Sequence, residues 1–147
     1  MIDQGLSSAE VEIELDKDLT FKSLLTKIMP AKLGGHWDAT QRDTAVGTYW
    51  RHLYVMRNSV VHRGLDPHGG HAEEAQNAYW RLRDHLESRL IAKRNTYPRT
   101  ALARFGKDGL EKRGAYSKKI QRFHERFEKE PGPWYWPYDT AGRKPDD

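Results

Sequence analysis

Two long stretches of helical periodicity flank a break that no regular element crosses, Gly64 through Gly70 with Pro67 inside it. Upstream, Val46, Trp50 and Leu53 step by three and four, and the apolar positions resume at Val60 and Val61. That spacing keeps side chains on one helical face and predicts a buried helix, starting between Asp38 and Thr44 and running to His62. Downstream, Glu73 and Glu74 suit the positive end of a second helix reaching about Arg94. It carries Tyr79, Leu82, Leu86 and Leu90 on one face.

The flanking segments extend the same pattern. Thr20 or Asp18 caps an earlier helix bearing Leu24, Leu25, Ile28 and Met29, closed by Pro30 and Gly34-Gly35. Pro98 suits a first helical position ahead of Ala101, Leu102 and Phe105, with Gly106 and Gly109 cutting that segment short. A last helix is predicted over 115–129, its stripe formed by Tyr116, Ile120, Phe123 and Phe127. Before the first helix, Val11, Ile13 and Leu15 alternate with acids, the period of a short strand or extended arm. After the last one, Trp134, Tyr135, Trp136 and Tyr138 sit among prolines; they read as a hydrophobic strap rather than a base-stacking platform. The expected architecture is all-α: a compact helical bundle of four to five helices with an extended N-terminal arm and an aromatic, proline-rich tail. Residues 1–17 form the arm, 18–94 the helical core, and 95–147 an extension and tail of the same domain.

Composition narrows the function classes. The 147 residues are 37% hydrophobic and 31% charged, so apolar side chains must be placed economically on helix stripes. A net charge of +4 tilts the chain mildly towards polyanions. With no cysteine, disulfides and thiolate chemistry are excluded, which suits a reducing cytoplasm. No apolar run is long enough to span a bilayer, and no basic stretch followed by an apolar block opens the chain. A cytoplasmic location with no membrane partner is expected.

Chemistry concentrates at the end of the helix before the break, in Arg57-Asn58-Ser59-Val60-Val61-His62. Arginine offers a rigid fork of donors matched to phosphate oxygens. Histidine exchanges a proton near neutral pH. Asn58 lies four residues before His62, on a shared flank, and both donates and accepts. RNA carries the matching substrate, because its 2′-hydroxyl lies beside the scissile phosphate. A histidine deprotonating that hydroxyl, with an arginine stabilising charge on the phosphate, cleaves RNA with no metal required. Arg63 follows directly. Lys118, Lys119 and Arg122, in the most basic stretch of the chain, read either as further RNA-binding cations or as a solvated helix face.

Other clusters carry less. His68, His71 and Glu74 do not have a recognised zinc spacing, and no cysteine completes them. No metal or cofactor is expected. His36, His52, His85 and His124 have no carboxylate or hydroxyl partner at a suggestive spacing.

The run from Tyr54 through Arg57-Asn58 and His62 to Gly64 resembles the signature of HEPN domains, α-helical modules marked by an arginine, four to six residues, then a histidine. The resemblance covers about residues 18–94. It implies a homodimer in which two copies of the motif meet across a dyad, and a metal-independent endoribonuclease of the kind found in toxin–antitoxin, anti-phage and CRISPR-linked defence systems. By this resemblance Arg57 and His62 are the catalytic pair and Asn58 the polar residue that follows the arginine. RNA is the expected partner, with a second copy of the chain and an antitoxin or larger defence-system component. One branch of the family places a tyrosine two residues after the histidine as the target of a nucleotidyltransferase; here that position is Gly64. Some members have lost nuclease activity. The alternative is therefore a catalytically inactive HEPN module that dimerises and binds RNA or a nucleotide.

Overall fold

The first helix begins where Thr20 accepts a hydrogen bond on Oγ1 from the Ser23 amide at 3.1 Å, satisfying one of the free donors of a helix start. This is the first of five helices in a computed structural model that describes residues 20–129, the side chain of Phe127 excepted. The expected arm over 1–17 and the aromatic tail from Pro131 lie outside the described residues, which contain no strand. The all-α bundle is the observed architecture.

Helix α1 spans 21–33 as Phe21–Ser23, a π-helical turn Leu24–Ile28, and Met29–Leu33. Pro30, expected to close the helix, lies inside it. The wide turn explains this: the Met29 amide reaches back five residues to the Leu24 carbonyl, and the next residue, Pro30, has no N–H to give. Gly34, the other expected stop, ends the helix at φ +62°.

Helix α2 spans 45–63, again with a π-helical turn in the middle: Ala45–Tyr49, Trp50–Tyr54 and Val55–Arg63. Thr44 caps it, accepting from the Gly47 amide at 3.0 Å. Gly64 terminates it in the left-handed region at φ +65°, and the Leu65 amide reaches back to the Ser59 carbonyl at 3.3 Å. Helix α3, Gly69–Ala92, starts four residues before the acids expected to open it, with His68 at its cap position. Helix α4, Pro98–Lys112, kinks at Gly106 (φ +65°) but continues through Gly109. Helix α5, Lys118–Lys129, begins three residues later than predicted, because 115–117 are non-helical.

α2 folds back on α3, and α1 also packs on α3. Leu25, Trp37, Val46 and Leu82 form the core of this unit, with Phe21, Met29, Tyr49 and Leu86 packed around them. Fully burying such a side chain contributes about 1.5–3 kcal/mol. The pairing is pinned by α3 arginines. Arg81 donates to Thr48 Oγ1 at 3.0 Å and to the Asp43 carbonyl at 2.8 Å. Arg89 donates through Nη2 and Nε to the Leu33 carbonyl, at 3.0 and 3.3 Å, satisfying a C-terminal carbonyl of α1. Gly35 lets this guanidinium in: a Cβ there would lie 2.7 Å from Arg89 Nε. A second core joins α4 to α5 through Ala101, Leu110, Ala115 and Ile120, with Ile91 from the end of α3 against it. No helix among the described residues is long and apolar enough to cross a membrane.

Candidate functional site

The expectation of a buried helix up to His62 is corrected by the second π-helical turn. A π turn inserts about one residue into the helix and rotates everything after it by roughly 100°. Val46, before the turn, is fully buried, whereas Val55–Arg63 contains no buried residue at all. Val61, expected on the apolar stripe, is 57% exposed, and Val55 beside the turn is 47% exposed. The Arg57–His62 segment therefore stands on the surface. Arg57, Val61 and His62 are exposed, and Asn58, Ser59 and Val60 are half-buried.

Within the segment, Arg57 Nη1 donates to Asn58 Oδ1 at 3.1 Å. Arg57 and His62 are five residues apart, so at about 100° per residue they leave the helix roughly 140° apart. Asn58 and His62 are only about 40° apart on the same scale. Asn58 thus draws the guanidinium towards the flank that His62 occupies. Among the described residues His62 makes no hydrogen bond or ion pair, and its imidazole is exposed. Arg63 is likewise exposed, at the end of the helix.

The basic stretch belongs to a different pair of helices. Lys118, Lys119 and Arg122 are exposed on α5, which packs against α4 through Ile120, while the Arg57–His62 segment is carried by α2. The structure carries Arg57, Asn58, His62 and Arg63 on the end of α2 and the three other cations on a separate helix, α5.

Two relationships escaped the sequence reading. His52, on the π-helical turn of α2, meets Glu74 of α3, Nδ1 to Oε2, at 3.0 Å. These residues are 22 positions apart, and only the register of the α2–α3 hairpin makes them neighbours. His124 pairs with Glu128 at 3.6 Å, an i,i+4 spacing that the sequence does display. His124 also meets the Tyr116 hydroxyl at 2.9 Å, where burial holds the phenol above its usual range.

The histidines of the break stack on each other, His68 on His71 with ring centroids 3.6 Å apart. Glu74, the acid that might have joined them, is engaged by His52. Among the described residues no group of three His, Asp or Glu side chains is arranged to hold a metal ion. No protein-family model matches the chain, and neither a curated protein nor a solved structure does.

Proposed function

We propose that this chain is a HEPN-like, metal-independent endoribonuclease acting as a homodimer. His62 takes the proton from the substrate 2′-hydroxyl, Arg57 holds the scissile phosphate, and Asn58 orients the guanidinium. The observation that carries this reading is the Arg57–Asn58 hydrogen bond on the same helix end as an exposed His62 that has no partner among the described residues, where none of the three is fully buried. Arg57 and His62 leave one helix about 140° apart, and the Asn58 bond draws the guanidinium only part of the way to His62. A two-fold interface, which sets a patch against its own copy, supplies the second set. Exposed Val55 and Val61 offer the apolar surface such an interface needs. A toxin or anti-phage effector is the biological role consistent with this chemistry.

The same divergence of Arg57 and His62 favours a second reading, a module that dimerises and binds RNA without cutting it, since binding needs the cations but not a converged pair. Incubation with single-stranded RNA in EDTA separates the two. The nuclease yields 2′,3′-cyclic phosphate and 5′-hydroxyl ends, and His62→Ala abolishes them while the dimer persists in light scattering. Binding without cleavage, lost in Arg57→Ala, establishes the second reading.

A further inference from the structure

A broad concavity lies away from the Arg57–His62 segment, between α1, α3 and the start of α4. It is a half-open groove of about 880 Å³. Its floor is apolar, built from Phe21, Leu24 and Ile28 of α1 facing Leu86 and Leu90 of α3. Its charged lining is one-sided: Lys27, Lys32, Arg83 and Arg104 against a single acid, Glu87. A groove of this size with wet apolar walls calls for an occupant, and the lining states its chemistry: an apolar strip edged with carboxylates.

That chemistry is written in the chain immediately before α1. Residues 10–18 read Glu-Val-Glu-Ile-Glu-Leu-Asp-Lys-Asp, five acids and one lysine, with Val11, Ile13 and Leu15 at alternate positions. An extended segment places such alternating residues on opposite faces, so three apolar side chains face one way and the acids the other. We infer that residues 10–18 dock in this groove, with Val11, Ile13 and Leu15 on its apolar floor and their flanking carboxylates at the rim cations.

Length and tethering select this segment over other occupants. Leu19 and Thr20 alone separate it from Phe21, which is itself a wall of the groove. Nine extended residues cover about 30 Å. α1 is roughly 20 Å long at about 1.5 Å per residue, so the segment can run the length of the groove. A short tether also gives a high effective concentration that a separate partner lacks. The aromatic tail, by contrast, follows α5, a helix that packs on α4, does not line the groove and is rich in cations.

The absence of cysteine makes the test direct. A nitroxide is attached to Glu12→Cys in the full chain, and methyl signals are read by NMR. Leu24, Ile28, Leu86 and Leu90 should lose most of their intensity, while Leu110 and Ile120 of the second core keep theirs. Replacing Val11, Ile13 and Leu15 together by serine should restore the groove signals with helix content unchanged. Unattenuated groove methyls overturn the proposal. So does attenuation seen only between spin-labelled and isotope-labelled chains in a mixture, which means a second copy. Equal attenuation from a label at Trp136→Cys, which means the tail, overturns it too.

Discussion

Arg57 and Asn58 are adjacent in sequence and bonded through their side chains, Nη1 to Oδ1 at 3.1 Å. The bond turns a guanidinium that would leave one side of α2 towards the flank of His62. Its value in the proposed reaction lies in orientation. Asn58→Ala should leave RNA binding nearly intact and lower cleavage, whereas Asn58→Asp, which keeps the acceptor, should recover most of the rate. Arg57→Ala removes the charge itself and should cost about 10²–10³-fold in cleavage. His62→Ala should cost about 10²–10⁴-fold, the usual worth of a positioned proton acceptor. Single-turnover cleavage in EDTA measures all four variants. An unchanged rate in His62→Ala refutes the assignment.

A different outcome is expected for the histidine ten residues before His62. His52 meets Glu74 at 3.0 Å across the α2–α3 hairpin, but it belongs to the π-helical turn before the exposed segment. Its role is to fasten the hairpin. Glu74→Gln should lower stability by no more than about 1 kcal/mol, because Glu74 is solvent-exposed and surface pairs are worth little. Urea unfolding gives the stability change, and cleavage should stay at the wild-type rate.

Helix-level features were legible where they depend on local chemistry. Thr20, Thr44, Pro98 and Gly64 each announce a helix boundary through a cap, a fixed φ or a left-handed residue, and each sits at the boundary it announces. The two π-helical turns were not legible. Neither Leu24–Ile28 nor Trp50–Tyr54 contains a residue that demands a wide turn, so counting by threes and fours ran straight through both. That one insertion in α2 changed the setting of the Arg57–His62 segment from buried to exposed. The residue types of the candidate site were visible in the sequence; their placement was not. The His52–Glu74 contact and the one-sided groove were hidden for a related reason, since both depend on which turns of α2, α1 and α3 face each other.

His85 supplies a pH dependence whose sign follows from its surroundings. Its ring packs edge-on against Trp37, centroids 4.8 Å apart, and its Nε2 is buried without a hydrogen-bond partner among the described residues. Burial, reinforced by the positive charges of Arg89 and His36, holds its pKa below the ordinary 6.5. The folded chain therefore keeps this imidazole neutral where the unfolded chain would already bind a proton. Stability from this site is fully present above about 6.5 and is lost as pH falls through that value towards the folded pKa. His85→Phe, which keeps the ring on Trp37 and removes the titration, should flatten the decline. Thermal melts at stepped pH values compare the two slopes, and parallel slopes would show that His85 is not responsible.

One carboxylate adds a charged tie to the apolar contact that Ile91 makes between the two cores. Glu87 of α3 is 19% exposed and meets three arginines: Arg104 of α4 directly, Arg83 one turn earlier on its own helix at 3.8 Å, and Arg113 at 3.9 Å. Arg83 and Arg104 also line the groove beside α1, so Glu87 holds the cations of its rim in place. Glu87→Gln keeps the shape and removes the charge. The half-exposed arginines can return to water, which limits the penalty, but the bond to Arg104 is lost as a charged pair. A destabilisation of about 1–3 kcal/mol is expected in urea unfolding. Pairing it with Arg104→Ala in a double-mutant cycle should give a coupling of about 1 kcal/mol, because the two side chains touch. Strict additivity of the two substitutions would mean that α3 and α4 are held by Ile91 and its apolar neighbours alone.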